Sequence, residues 1–463
     1  MNQIQSGFLC AGYETLSSIM DSFVNGLYNR YDNHFQREDI SKFNNATVSG
    51  FLHSFGQNFV GRKKFNKFVE KEAEVFTSTR ATGFYDNSNF YIDSGGFQAS
   101  IGKINEHETD ILVELYHQFL NEHHDLIDRA FVLDLPPGPL CKLFKTWDDV
   151  YNQNMRTYTI ASNLPDEIRD KMIYIHHFRT PMQWKIFNRI LREGEFFDKF
   201  KHHATGGIVA NLSGDMQTPC VLYCLPLVPL LNECKKAGRD YLNFHILGGA
   251  NFRDILFYEL FMIHVKKIHG ITINFTYDSS GLFKGLMVGR NIHVTAGKNV
   301  KKLNLRTHKL QNRFLDQYTN EQYFFKIMDD LSDKYGFKKL ETRNIYSEET
   351  GTFFNEVRVY AMLHMFDFYS QMQTRCREFA RQAYEFYKND DLEEFNNIII
   401  DIILSFNGGK KTKKQITKSV VVCNSLKILT NLDEDYCEYL VKSFLAKDEF
   451  TNLSRRGTGV LQF

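Results

Sequence analysis

The sequence predicts an α/β protein in which a TIM (β/α)8 barrel is followed by an additional C-terminal α-helical domain. Short apolar runs of strand-forming residues recur up to about residue 315, and each is followed by polar or glycine residues. Amphipathic stretches lie between these runs, and the chain becomes helical in pattern after about residue 316. Alternating strand and helix signals are typical of a parallel sheet with helical crossovers.

Six apolar runs indicate where strands of this sheet end. They end at Asp93, Asp134, His176, Gly206-Gly207, Gly248-Gly249 and Asp278. In a TIM barrel the active site is built at the carboxyl ends of the strands, so these positions are candidates for chemistry. Six or more such units in one domain favour the barrel. A doubly wound open sheet also binds ligands at strand ends, and periodicity alone leaves that alternative open.

The positions of the amphipathic stretches indicate where one domain ends and the next begins. Residues 108–127 and 253–268 are helical in pattern between strands, and residues 321–337, 353–389 and 391–407 form a continuous helical region. We therefore predict a barrel domain at 1–315 and a helical domain at 316–463, the latter a candidate for binding nucleic acid or a partner.

The composition excludes several classes of protein. Hydrophobic residues make up 43% of the 463 residues, enough for a substantial core. The net charge of +1 means that any affinity for nucleic acid must come from local patches. The eight cysteines form no CxxC or zinc pattern, so we expect reduced thiols and no metal. The start of the chain and its longest apolar stretch predict no signal peptide and no membrane span, hence a cytoplasmic protein.

The hexapeptide from Asp93 to Gln98, DSGGFQ, is the most specific motif of the chain. An aspartate followed by Ser-Gly-Gly is by itself typical of an ordinary turn, although glycines also let backbone and ligand approach closely. The complete hexapeptide resembles the active-site motif of the tRNA-guanine transglycosylase superfamily. The resemblance extends in order over roughly residues 85–295 and implies a TIM barrel that exchanges guanine for a 7-deazaguanine.

The resemblance implies two reactive carboxylates. Asp93 corresponds to the general acid/base of the family, and Asp278, directly after a strand, corresponds to the nucleophile. The residues after Asp278 depart from the family pattern, so its assignment depends on order and strand context. A helix N-cap is the alternative role for Asp278.

The resemblance also implies a base-binding pocket. Asp134 would read the guanine edge, because a carboxylate can accept from N1–H and the 2-amino group; a cap or turn before Pro136 is the alternative. Where the family carries a glutamine, this chain has His176 and His177; His177 would donate to the base carbonyl, or the histidines are simply packed or solvated. The resemblance implies five further base-binding residues. Phe97 and Leu247 would lie on the two faces of the base, Gly206 and Gly207 would contact it through their backbone amides, and Ser94 would also bind the substrate.

A basic strip follows the predicted nucleophile. No Asp or Glu occurs between Asp278 and Asp316. The basic residues of this interval predict contacts with phosphate groups, and a solvated loop is the alternative. Its basic residues are Lys284, Arg290, Lys298, Lys301, Lys302, Arg306, Lys309 and Arg313. A second basic cluster comprises Lys410, Lys411, Lys413, Lys414 and Lys418. We expect it either to contact the nucleic-acid backbone or to form an exposed loop.

The choice of nucleic acid depends on what the chain lacks. The zinc site of the bacterial tRNA-acting relatives is missing, and the chain is similar to the phage-type branch that inserts 7-deazaguanines into DNA. We therefore expect a DNA-guanine transglycosylase that uses a preQ0-like base, needs no cofactor and acts in the host cytoplasm if phage-encoded. Duplex DNA would require base flipping. A tRNA-guanine transglycosylase without zinc and a non-catalytic nucleic-acid-binding barrel are the alternatives, and a homodimer is a candidate assembly.

Overall fold

The structure of the chain is a computed structural model. It describes residues 7–11, 49–59, 67–81, 89–137, 141, 143–178, 180–206, 223–249, 252–279, 292–296, 299–305, 319–336, 339, 355–407 and 413–444.

Within these ranges the chain forms a curled sheet of parallel strands flanked by helices. The strands are β1 (Gly7–Ala11), β2 (Gly50–Ser54), β3 (Asn89–Asp93), β4 (Arg129–Phe131), β5 (Met172–His177), β6 (His202–Gly206), β7 (Tyr241–Ile246) and β8 (Thr272–Ser279). They lie side by side in chain order, and β8 pairs with β1, so the sheet closes. The predicted α/β class is confirmed, and this sheet is compatible with a TIM-like barrel.

Helices follow most of the strands and cover the outside of the sheet. They are α1 (Phe55–Phe59), α2 (Phe68–Ala81), α3 (Gly96–Ser100), α4 (Glu106–His123), α5 (Trp147–Ser162), α6 (Asp166–Arg169), α7 (Pro181–Glu193), α8 (Phe196–Lys199), α9 (Leu227–Lys236) and α10 (Phe252–His269). Asn105 and Thr146 begin α4 and α5 with capping boxes, which satisfy amide groups that have no partner inside the helix.

Alternation along the strands separates an outer core from an inner one. On β8, Phe275 faces outward and stacks on Tyr258 of α10, with ring centroids 5.1 Å apart. The inner core is a separate cluster made of Leu52, Tyr91, Phe131, Ile173, Ile175 and Ala204. Since side chains on a strand alternate between faces, the residue two positions beyond an inner-core residue faces the interior one layer nearer the carboxyl end. This rule places Asp93, His177 and Gly206 on the interior face, and His177 and Gly206 lie directly opposite each other on neighbouring strands.

The chain continues into a hairpin and a set of long helices. These elements are β9 (Ile292–Ala296), β10 (Asn299–Leu303), α11 (Asn320–Tyr335), α12 (Asn355–Lys388), α13 (Leu392–Asn407), α14 (Lys413–Asn431) and α15 (Glu434–Phe444). The helix α12 packs along α10, where the Cys376 thiol lies 3.4 Å from the Phe252 carbonyl oxygen. The Thr430 hydroxyl of α14 lies 2.8 Å from Nε2 of His264 on α10. One continuous apolar core therefore joins these helices to the outer layer of the sheet.

The helices of the described residues were compared with what a membrane-spanning helix requires. None in the described ranges combines the length and the apolarity that crossing a bilayer requires.

Candidate functional site

Asp93 lies at the carboxyl end of β3 in a setting that favours its neutral form more than water does. The Ser54 hydroxyl of β2 donates to Asp93 Oδ2 at 2.9 Å. Burial, followed by the charge of Asp134 and to a smaller extent that of Asp278, raises the pKa of Asp93 to about 6, against the lowering effects of Ser54 and the Gly95 amide. A carboxyl group with a pKa near 6 can both release and accept a proton close to neutral pH.

The two glycines of the DSGGFQ motif are required by close backbone contacts. Gly95 has a φ of +87°, and a Cβ on it would lie 2.3 Å from the Gly56 Cα. A Cβ on Gly96 would lie 1.6 Å from the carbonyl oxygen of Asp134. These contacts pack the turn after β3 against α1 on one side and against the segment after β4 on the other. The glycines thus bring Asp93 and Asp134 close together.

The remaining predicted residues of the motif differ in their exposure. Ser94 is fully buried, and its hydroxyl lies 3.4 Å from the Val132 carbonyl oxygen. Phe97 on α3 is 44% exposed, so a large part of its ring is open to solvent. An exposed aromatic ring beside a carboxylate site can stack on a base. The predicted role of Ser94 in binding substrate stays a prediction, with its hydroxyl oriented toward the backbone.

Asp134 forms a buried pair with His177. His177 Nε2 donates to Asp134 Oδ2 at 2.5 Å, and both side chains are almost fully buried. The segment after Asp134 is held by Asn154 of α5, whose side chain bonds both the amide and the carbonyl of Leu135. Asn154 therefore fixes the backbone that follows Asp134, and His177 fixes one oxygen of its carboxylate.

The two adjacent histidines on β5 face opposite sides of the sheet. His177 reaches Asp134 in the interior, and its ring also lies edge-on to Phe187 with centroids 5.0 Å apart. His176 faces outward, where its ring packs near Trp184. Neither ring nitrogen of His176 has a hydrogen-bond partner in the described part of the chain, and burial lowers its pKa to about 3. Only His177 is thus placed to serve the site, and it does so through Asp134 rather than as an isolated donor.

Gly206 and Leu247 lie next to His177. A Cβ on Gly206 would be 2.7 Å from Cε1 of His177 and 3.4 Å from Cδ1 of Leu247. The Leu247 amide donates to the Thr205 carbonyl at 3.0 Å, which fixes the start of the turn after β7. Three of the predicted base-binding residues, His177, Gly206 and Leu247, therefore lie side by side on one wall of the candidate site. Gly207 lies outside the described residues.

Asp278 lies on β8 and is held by two donors from the β7 side. The Gly248 amide donates to Asp278 Oδ1 at 2.7 Å, and His245 Nε2 lies 3.2 Å from the same oxygen. The other ring nitrogen of His245, Nδ1, lies 2.9 Å from the Thr276 hydroxyl. The imidazole of His245 is buried, with its centroid 5.1 Å from that of Phe131.

Three residues of this site were not predicted from the sequence: Ser54, His245 and Thr276. Each occupies an inward-facing position on a strand, two residues from a position that also faces the interior. His245, for example, precedes Leu247 by two. Strand alternation could have identified them once the strand ends were known, whereas a motif search could not, because none lies in a recognisable sequence pattern.

Most of the predicted basic strip lies outside the described residues. This is true of Lys284, Arg290, Lys298, Arg306, Lys309 and Arg313, and of Lys410 and Lys411 in the second cluster. Lys301 and Lys302 lie on β10, where Lys302 is exposed. Lys413, Lys414 and Lys418 lie on α14. The phosphate-binding role of both clusters stays a prediction.

The site is built from carboxylates, imidazoles and backbone groups. Within the described ranges, no three or more His, Cys, Asp or Glu side chains are arranged to hold a metal ion. Comparison with protein-family models and with curated proteins found no match to this chain. Any assignment of its chemistry therefore depends on the geometry of the site and on the sequence motif.

Proposed function

We propose that this chain is a TIM-barrel DNA-guanine transglycosylase, which exchanges guanine in DNA for a 7-deazaguanine base. The observation that carries the proposal is the convergence of Asp93, Asp134 and Asp278 at the carboxyl ends of three strands, where the charges of the other two raise the pKa of Asp93. Burying three carboxylates together is unfavourable for folding, so an arrangement of this kind is typical of a catalytic site.

The proposed reaction has two displacements at C1′ of the deoxyribose. In the first, Asp278 forms a bond to C1′ while the C1′–N9 bond breaks, and the bonding electron pair leaves with guanine. Asp93 transfers its proton to the departing base and becomes a carboxylate. In the second, Asp93 takes the N9 proton of the incoming base, N9 attacks C1′, and Asp278 leaves as a carboxylate. Two inversions give net retention, as in retaining glycosidases.

The base would lie between Phe97 and Leu247, with its edge on Asp134. The exposed ring of Phe97 supports stacking, and Gly206 keeps the wall beside Leu247 free of a side chain. His177 occupies Asp134 Oδ2, so Asp134 Oδ1 is the oxygen that supports recognition of the guanine N1–H or 2-amino group. DNA is preferred to tRNA as substrate because the zinc cysteines of the tRNA-acting relatives are missing from the sequence.

The proposal is tested by nucleoside mass spectrometry. The purified protein is incubated with preQ0 and either duplex DNA or tRNA, and the nucleic acid is digested. We expect a 7-deazaguanine deoxynucleoside from DNA, and none with Asp278→Asn, an isosteric variant that lacks the nucleophilic carboxylate. A modified ribonucleoside alone would assign the chain to tRNA. Binding of DNA with no exchange of either substrate would favour the non-catalytic barrel instead.

A further inference from the structure

His245 is a buried histidine that the proposed reaction does not yet use. It lies on β7 beneath Asp278, and its imidazole connects two neighbours on β8: Nδ1 is 2.9 Å from the Thr276 hydroxyl and Nε2 is 3.2 Å from Asp278 Oδ1. The side chain of His245 is 2% exposed, and Tyr91 and Phe131 pack near its ring. Thr276, His245 and Asp278 thus form a chain of hydrogen bonds inside the sheet.

Within the part of the chain that the structure describes, both donors on Asp278 lie on one oxygen. The Gly248 amide and His245 Nε2 both bond Oδ1, whereas Oδ2 accepts no hydrogen bond from the residues that the structure describes. The side chain of Asp278 keeps 10% of its surface exposed. Two donors on one oxygen fix the rotation of the carboxylate and leave the lone pairs of the other oxygen available.

We infer that His245 is a positioning residue for Asp278, which holds Oδ1 so that Oδ2 is the atom that attacks C1′. The inference requires the neutral tautomer with the proton on Nε2. The Asp278 carboxylate can only accept, so it selects the tautomer with the proton on Nε2, and the Thr276 hydroxyl, which can either donate or accept, then donates to Nδ1. This inference depends on the proposed function for its kinetic consequence, but not for the hydrogen bond itself.

The donors also act on the second displacement. When Oδ2 is bonded to C1′, Oδ1 is the carbonyl oxygen of an ester and accepts weaker hydrogen bonds than a carboxylate does. When Asp278 leaves, the negative charge returns to the carboxylate and the bond from His245 strengthens. Loss of the donor should therefore slow the second displacement, and loss of the fixed rotation of the carboxylate should slow the first, while the binding of substrate is little changed.

The kinetic test compares three variants of the full-length protein. His245→Leu removes the donor and fills similar space, and we expect kcat for base exchange into duplex DNA to fall about 10- to 100-fold, the range for a hydrogen bond to a charged group, with KM nearly unchanged. His245→Gln places an amide nitrogen near the position of Nε2 and should restore most of the rate. Thr276→Val should give an intermediate loss, because Nδ1 then has no donor. Unchanged kcat in His245→Leu, with the same melting temperature, would overturn the inference.

A second measurement decides the hydrogen bond without any activity. In protein labelled with 15N-histidine, NMR should show a neutral Nε2–H tautomer whose signals are missing in His245→Gln and shift in Asp278→Asn. A proton on Nδ1, or signals unaffected by Asp278→Asn, would overturn the inference even if the enzyme exchanges bases. If the wild-type protein exchanges no base, the proposed function fails, and the NMR result alone decides whether His245 holds Asp278.

Discussion

Asp93 shows how one residue combines chemistry with a cost in stability. Its pKa of about 6 arises chiefly from burial and then from the neighbouring charge of Asp134, with a smaller contribution from Asp278. The same effects that make the carboxyl group a proton donor near neutral pH disfavour its ionised form in the folded protein. Since the unfolded chain imposes no such penalty, ionised Asp93 lowers the free energy of unfolding.

We therefore expect Asp93→Asn to be more stable than the wild-type protein at pH 8. The pKa in the folded protein, about 6, lies above the ordinary aspartate pKa of 3.8, so the folded state binds more protons between these values and the penalty is complete only above pH 6. Asn removes the charge, and the gain should reach about 1–3 kcal/mol at pH 8 and shrink toward pH 4. Urea unfolding at pH 8 and pH 5 measures this difference.

The matched control is Asp240→Asn, at an exposed aspartate. Its unfolding midpoint should follow that of the wild-type protein at both pH values. An Asp93→Asn variant that is less stable than the wild type at pH 8 would contradict the assigned cause of the pKa shift.

At the scale of single elements, the turn from β3 into α3 decides where two of the carboxylates lie. Gly96 leaves no room for a side chain beside the Asp134 backbone, and Gly95 adopts a φ that favours glycine. The short helix α3 can therefore pack against the segment after β4. Without that close approach, Asp93 and Asp134 would move apart.

We predict that Gly96→Ala strongly destabilises the protein and abolishes base exchange. The added Cβ would lie 1.6 Å from the Asp134 carbonyl oxygen, so the backbone must shift, and overpacking of this kind costs about 1–3 kcal/mol or more. Gly238→Ala is the comparison, because Gly238 has a positive φ but open space around it. That variant should lose only about 1 kcal/mol, the cost of its backbone conformation. Thermal unfolding and the exchange assay separate the two; equal stability of the variants would refute the steric account.

At the scale of the whole molecule, several histidines are buried around the sheet. His176 and His203 lie on the outer face of adjacent strands, and the ring of His203 stacks on Phe197 at 5.1 Å. Burial lowers the pKa of each of them to about 3. They are therefore neutral in the folded protein throughout the range in which a histidine of the unfolded chain becomes charged.

This burial predicts that the protein loses stability in mild acid. Between the ordinary histidine pKa of 6.5 and the pKa of about 3 in the folded protein, the unfolded state binds more protons than the folded state, so the free energy of unfolding falls as the pH falls. Each histidine contributes up to about 1.4 kcal/mol per pH unit. The urea midpoint should decrease from pH 7 to pH 5, and less steeply in His203→Phe. The exposed His107 provides the control, since His107→Gln should keep the wild-type slope. An identical slope in His203→Phe would show that other groups govern the acid response.

Much of the architecture was predictable because it depends on local pattern. The strand ends at Asp93 and at His177, one residue past the predicted end, follow from apolar runs whose period is a property of the chain itself. The two turn glycines after Asp93 are likewise encoded locally. The described residues from 319 onward are almost entirely helical, as their amphipathic pattern indicates, although the division into domains at residue 315 stays a prediction.

The sequence by itself located these strand ends to within a few residues and, through DSGGFQ, indicated a reaction class to test; the strand before Asp134 ends at Phe131 and the strand before Gly248 ends at Ile246. Only the tertiary structure decided which of those residues meet. The pairing of Asp134 with His177, the convergence of three carboxylates and the position of His245 beneath Asp278 join residues 33 to 185 positions apart in the chain. No local pattern encodes such distances, because they depend on how the sheet curls and on the register between neighbouring strands.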